Sequence, residues 1–120
     1  MKGVPANLDL RPFHGKSLTQ VRLGEHDIQF CFNDGPVISV EGLWELMDAS
    51  GALVDGARDA LPAERDCHRV HVLLSATVTS THVDPPHSFS LTFDNGMVLT
   101  VYDNNEQFES FSIQPGDVIV

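Results

Sequence analysis

The chain has 120 residues, with 17 acidic residues against 7 lysines and arginines and a formal net charge of −10. This length corresponds to one domain, and the charge argues against binding nucleic acid phosphates or an anionic membrane surface. The first residues contain no apolar run, so we expect no secretory signal; the chain has no apolar run long enough for a membrane helix and only two widely separated cysteines. We therefore expect a cytoplasmic protein that binds neither nucleic acid nor membranes.

The first predicted unit, residues 13–44, has the pattern of a three-stranded antiparallel meander. Apolar and polar or small side chains alternate along residues 27–32, as in a half-buried strand. Asp34-Gly35 follows, a dipeptide that tolerates the positive φ angles of a type I′ turn. The third predicted strand begins after this turn and continues through Trp44 and Leu46.

The expected turn fixes a register for this hairpin. A two-residue loop would place Phe32 opposite Val37, on one face of the sheet. Ile38 and Val40 would then point to the other face. The third strand would be apolar on both faces and would require a cover on its back.

The second predicted unit, residues 73–120, repeats the first at a spacing of 60 or 61 residues. Phe93 corresponds to Phe32, Asn95-Gly96 to Asp34-Gly35, and apolar positions of the third strand also coincide. A lone small sheet buries too little surface to be stable. Two related meanders packed about a pseudo-twofold axis would solve this problem.

Residues 45–72 are interpreted as the linker between the meanders. A short helix near residues 57–68 is expected to cover one sheet face, although residues 70–74 also alternate like a strand. The chain closes on an apolar C-terminal strand at residues 118–120. An apolar edge strand invites pairing with another subunit, so a homodimer through this strand is an open alternative. The predicted fold is a single mainly β domain.

No catalytic constellation stands out. The chain lacks the nucleophile, phosphate-loop and dinucleotide motifs that mark common enzymes, so it is more simply a non-enzyme without a cofactor. A metal site is the alternative, because cysteine and histidine are zinc ligands. Its candidate ligands are Cys67, His68, His71, His82 and His87.

The single tryptophan, Trp44, is flanked by Glu41 and Glu45. Tryptophan is highly buried on average, which favours a core position. An exposed tryptophan beside acidic residues would instead anchor a protein interface. These three residues are the predicted partner-binding group.

Part of the pattern resembles a family of small, mostly bacterial proteins catalogued as a domain of unknown function. The resemblance rests on Leu10, Phe13, Gly15, Leu18 and Val21, on Asp34-Gly35, and on Phe93, Asn95-Gly96 and Phe108-Glu109-Ser110. Ser75 stands where the first unit has Gly15. The resemblance implies a fold of this kind and no established activity.

These features predict a non-enzymatic interaction or immunity-type protein that pairs with a basic partner protein. The charge of −10, with no chemistry to explain it, is the motivating observation. The alternative is a small-ligand or metal-binding domain, enzymatic or not, with its site between the two meanders.

Overall fold

The computed structural model describes residues 4, 6–24, 27–56, 69–103, 111–114 and 118–119. The first half of the chain contributes β1 (Leu18–Leu23), β2 (Ile28–Phe32), β3 (Val37–Val40), β4 (Trp44–Met47) and β5 (Leu53–Gly56). The second half contributes β6 (Val78–Asp84), β7 (Ser88–Phe93), β8 (Val98–Tyr102), β9 (Phe111–Gln114) and β10 (Val118–Ile119). Short 3₁₀ turns at Arg11–Phe13 and Val70–Leu73 precede β1 and β6. The prediction of a mainly β fold is confirmed.

The ten strands form two antiparallel sheets that exchange strands. The first sheet has the order β1-β2-β3-β9-β10, and the second has the order β5-β4-β8-β7-β6. Each sheet therefore consists of one meander extended by two strands from the other half of the chain. Adding five to every strand number, and returning to β1 after β10, converts one sheet into the other. This arrangement is consistent with the predicted pseudo-twofold relation.

The exchange corrects the prediction that the third strand continues through Trp44. β3 ends at Val40, and the chain then crosses to the other sheet, where Trp44 lies opposite Val101 of β8. Apolar alternation looks the same in either sheet, so local pattern could not locate this crossing. The predicted linker, residues 45–72, thus supplies most of β4 and all of β5. The helix expected near residues 57–68 lies outside the described residues.

The register of both hairpins differs from the expected one by one residue. The Phe32 amide donates to Pro36 O, and the Phe93 amide donates to Met97 O, so each loop has three residues. In the second loop only Gly96 has a positive φ, +85°, which excludes a type I′ turn there. A one-residue shift moves every side chain to the other face.

The corrected register gives each third strand one apolar face. Ile38 lies opposite Phe30, and Val40 lies opposite Ile28, with all four side chains buried. Along β3 and β8, buried positions alternate with half-buried ones. The expectation that these strands are apolar on both faces, with a cover behind, was wrong.

The two halves meet at Ser17 and Thr77, which form an isolated antiparallel bridge. Their side-chain oxygens lie 2.9 Å apart. The hydrogen bonds around the bridge are reciprocal: the Leu18 amide donates to Ala76 O, and the Val78 amide donates to Lys16 O. Ser17 and Thr77 stand 60 residues apart in sequence, and the same offset relates Leu18 to Val78 and Lys16 to Ala76, so the bonding pattern follows the predicted repeat.

The core lies between the two sheets. Phe32 and Phe93, which occupy equivalent positions, stack with ring centroids 6.3 Å apart. Phe30 of β2 packs edge-on against Trp44 of β4 at 5.5 Å. These contacts join the sheets face to face, because each pair takes one ring from each sheet.

Two matched residues with a left-handed backbone conformation permit a test of whether the two halves of the chain are structurally equivalent. Gly15 has a φ of +76°, and Ser75, its counterpart, has a φ of +73°. A side chain in this region is strained. We expect Ser75→Gly to raise the free energy of unfolding by about 0.5–1 kcal/mol and Gly15→Ser to lower it by about 1 kcal/mol.

Urea unfolding of both variants measures these two changes. A Cβ at Gly15 would meet nothing within 4 Å, so the expected loss comes from backbone conformation alone. Equal signs for the two substitutions would contradict the equivalence of the two turns.

Candidate functional site

Two grooves of similar size lie at equivalent places beside the edge strands β6 and β1. The β6 groove, of about 390 Å³, is bordered by Thr81, His82 and Val83 and by Leu10 and Arg11. The β1 groove, of about 350 Å³, is bordered by Val21 and Leu23 and by Val70, His71 and Leu74. In each, a 3₁₀ turn from one half faces the edge strand of the other half.

Polar contacts dominate the β6 groove. The Arg11 side chain donates to both carboxylate oxygens of Asp9, at 2.9 and 3.0 Å. His14 Nε2 lies 3.1 Å from Thr81 Oγ1, which connects the first half of the chain to β6. These polar side chains satisfy one another at the surface.

The β1 groove carries apolar residues at the equivalent positions. Leu74 stands where the first half has His14, and Val21 stands where the second half has Thr81. Leu23 is 53% exposed and Leu74 is 42% exposed. We call Leu23 and Leu74 the apolar patch.

One positive charge lies on the edge strand itself. Arg22 is the only charged residue of β1, and its side chain is exposed. Val21 and Leu23 border the groove, so Arg22 between them points to the opposite face of the strand. Arg69 at the facing turn is also exposed, and its backbone amide donates to the carboxylate of Asp55.

Two carboxylates, Glu45 and Asp55, are buried in the second sheet. Glu45 lies opposite Gly56, whereas Asp55 lies opposite Leu46, so the two acids occupy opposite faces. Asp55 accepts hydrogen bonds from the backbone amides of Arg69 and Val70 at 2.6 and 2.9 Å. Glu45 accepts a long hydrogen bond of 3.4 Å from the Tyr102 hydroxyl. This geometry fixes β5 to the second 3₁₀ turn and does not pair the acids for acid–base catalysis.

The predicted partner-binding group is divided between core and surface. Trp44 is 1% exposed, and Glu45 is buried beside it in the strand. Only Glu41 is exposed. The reading of Trp44 as an exposed anchor was wrong, because the strand exchange places this residue between the sheets.

The candidate metal ligands lie on separate elements where they are described. His71 borders the β1 groove, and His82 borders the β6 groove. His87 belongs to the turn between β6 and β7. Across the described ranges, no group of three or more His, Cys, Asp or Glu side chains could hold a metal ion. Cys67 and His68 lie outside those ranges.

The pKa of Asp9 reports the ion pair between Asp9 and Arg11 in the β6 groove. The Arg11 side chain, together with its backbone amide, lowers the pKa of Asp9 from 3.8 to about 2. Because this pKa is lower in the folded chain, the stabilisation is present above pH 3.8 and is lost as the pH falls through about 2. We expect Arg11→Met to raise the pKa of Asp9 towards 3.8.

A carbon-detected NMR titration of the aspartate carboxyl groups measures this change. Asp48 is the internal control, since a hydrogen bond from Ser50 lowers its pKa independently of Arg11. An Asp9 titration that Arg11→Met leaves unchanged would show that the ion pair does not form in solution.

The fold and the groove define an all-β domain of two strand-exchanged sheets with an apolar groove at one sheet edge. Comparison of the chain with protein-family models finds no match. Comparison with curated proteins and with solved structures finds no significant match. The resemblance to the bacterial family of unknown function stays a prediction. In the part of the chain that the structure describes, no helix is long and apolar enough to cross a membrane.

Sequence reasoning missed the β1 groove. The available signal was the difference between the two halves at matched positions: His14 against Leu74, and Thr81 against Val21. The repeat is recognised by the positions at which the two halves match, whereas the groove lies where their residues differ.

Proposed function

We propose that the protein is a non-enzymatic protein-binding module and that the β1 groove is its contact surface. The observation that carries the proposal is the apolar patch, in which Leu23 and Leu74 line one groove and are each more than a third exposed. Exposed apolar side chains grouped at one groove mark interaction sites on soluble domains. The matched polar β6 groove supports this reading, since the same framework there satisfies its own polar groups.

The local charge beside the groove determines the charge expected of the partner more than the net charge of the whole chain does. A net charge of −10 favours a basic partner at long range. At physiological salt the Debye length is about 8 Å, so close contacts are governed by local charges. The one charged residue of β1 is Arg22. The proposed contact therefore places an acidic residue of the partner beside Arg22, and the basic partner is the alternative that the experiments below separate from it.

A cytoplasmic location is part of the proposal. The two cysteines of the chain provide no disulfide framework, and Cys31 is a buried free thiol in β2. Such a thiol behaves as a small packed hydrophobe and suits a reducing compartment.

Selection from a random peptide library displayed on phage tests the proposed surface. We expect the wild-type chain to enrich peptides that the double variant Leu23→Ser/Leu74→Ser does not retain, because the variant removes both exposed leucines of the patch. Leu53→Ser is the matched control: Leu53 on β5 is 55% exposed and does not line the groove.

The control variant must retain the enriched peptides. Both variants change exposed side chains, so their free energies of unfolding are expected to stay within about 0.5–1 kcal/mol of the wild-type value. Peptides that bind the double variant as well as the wild type, or no enrichment at all, would contradict the proposed function.

A further inference from the structure

Resting on the proposed function, we infer that the β1 groove takes an extended acidic segment of a partner protein, which adds to the first sheet as a strand beside β1. Its backbone pairs with Val21 and Leu23, and its alternate apolar side chains enter the groove. The inference joins three independent features: the outer backbone edge of β1, which beyond Leu18 has no partner among the described residues, the apolar groove beside it, and the positive charge of Arg22 on the other face of the strand.

The backbone edge follows from the ladder between β1 and β2. The Gly24 amide donates to Asp27 O at 2.8 Å, and Arg22 lies opposite Gln29 two residues further along. Hydrogen-bonded and non-hydrogen-bonded pairs alternate in an antiparallel ladder. Val21 and Leu23 are therefore non-hydrogen-bonded pairs, and their N–H and C=O groups point away from β2.

The hydrogen bonds on the other edge of β2, towards β3, give the same result independently. The Phe32 amide donates to Pro36 O, so the hydrogen-bonding groups of Phe30, two residues earlier, are directed towards β3. Phe30 is the partner of Val21. Two ladders thus agree on which groups of β1 form the outer edge.

This edge is closed only at its beginning. Ser75 and Ala76 exchange backbone hydrogen bonds with Leu18, at 2.8 and 3.0 Å. Beyond Leu18, no backbone hydrogen bond between the outer side of β1 and any other described residue is present. Unpaired edges of this kind are the surfaces to which extended segments add.

The side-chain pattern of the occupant follows from β1. The side chains of Val21 and Leu23 both border the groove, together with Val70 and Leu74. Successive side chains of an added strand point to opposite faces. Every second side chain of the occupant therefore meets this apolar wall, and the pattern required is alternation of apolar and polar residues.

Charge decides between an acidic partner and a second copy of this chain. Antiparallel pairing of two β1 strands would bring the Arg22 side chains of two copies near each other. Like charges at an interface are unfavourable. An acidic segment with alternate apolar residues instead places its carboxylates on the face of β1 that carries Arg22.

The test uses a short synthetic peptide of alternating leucine and glutamate. We expect it to bind the wild-type chain, to compete with the peptides enriched on the patch, and to bind about tenfold more weakly to Arg22→Glu. A peptide in which lysine replaces glutamate should bind more weakly than the glutamate peptide. A peptide with the leucines placed together tests the requirement for alternation.

Amide hydrogen exchange reports the pairing itself. The amides of Val21 and Leu23 should exchange at least about tenfold more slowly in the complex, because they gain hydrogen bonds. The Arg22 amide is the control on the same strand, since it is already directed to β2 and should change little.

Each outcome of these measurements is decisive. Patch-dependent peptides that are basic, or that leave the Val21 and Leu23 amides unprotected, would overturn the inference while the proposed function stands. Dimers in sedimentation that dissociate with Leu23→Ser would make a second copy the occupant and would also overturn it. Only the loss of all patch-dependent binding contradicts both proposals.

Discussion

Replacing Trp44 by alanine is expected to lower the free energy of unfolding by about 3–5 kcal/mol. The side chain is 1% exposed, and its ring meets Phe30 edge-on at 5.5 Å. Trp44 is also the first residue of β4, which the first half of the chain contributes to the second sheet, so the cavity would open where the two halves join. Because whole domains are stable by about 5–15 kcal/mol, this single change removes a large part of the total.

Urea unfolding followed by far-ultraviolet circular dichroism measures the loss, since the variant has no tryptophan fluorescence. Trp44→Phe keeps a ring in the core and should lose only about 1–2 kcal/mol, which leaves a folded variant to compare. Leu53→Ala is the exposed control and should stay within about 0.5 kcal/mol of wild type. A Trp44→Ala variant as stable as this control would restore the interface reading of Trp44.

Replacing Asp55 by alanine is expected to cost about 3 kcal/mol. The buried carboxylate accepts from the amides of Arg69 and Val70, and Gly56 donates to its other oxygen at 2.8 Å. Alanine would leave these buried donors without the carboxylate, and the cost of unsatisfied donors exceeds the gain of making the bonds. Asp55→Asn should recover part of this loss, because its carbonyl oxygen can still accept from Arg69 and Val70 while its NH₂ group faces the Gly56 donor.

Asp48 provides the matched control for this experiment. It also accepts several hydrogen bonds, from Ser50 and from the Ala52 amide, but it lies in the turn between β4 and β5 with water nearby. Asp48→Ala should cost about 1 kcal/mol. Equal losses at the two aspartates in urea unfolding would show that Asp55 does not anchor the second 3₁₀ turn.

The features of the fold that the sequence predicted well are those that depend on residues close together in the chain. Alternation along residues 27–32 and 88–93 predicted β2 and β7, and the glycine-containing turns predicted two hairpins. Such signals are local, because strand period and turn chemistry involve only a few consecutive residues.

The register was less accessible, although the turn was recognised. Asp34-Gly35 and Asn95-Gly96 suit both a two-residue loop and a three-residue loop that ends in a left-handed glycine. The structure has the three-residue loop, and this single residue moves Ile38 and Val40 onto the core face. The choice is made by burial: with this register all the large apolar side chains of the meander lie on one side.

The candidate site was predicted least well, since its parts come from both halves. Leu23 and Leu74 belong to segments about 50 residues apart. They face one groove only because the 3₁₀ turn of the second half packs beside β1, the edge strand of the first. The predicted metal ligands and the tryptophan group were chosen by closeness in sequence, which does not determine closeness across sheets.

The sequence by itself determined a mainly β chain with two hairpins of similar pattern, because alternation and turn residues act over short distances. Tertiary structure alone decided the exchange of β4 and β9 between the sheets, the burial of Trp44, and the amides that Asp55 accepts from. Each of these three features depends on which strand pairs with which edge of a sheet. That choice is made by the summed burial of both sheets, and no local stretch of sequence contains it.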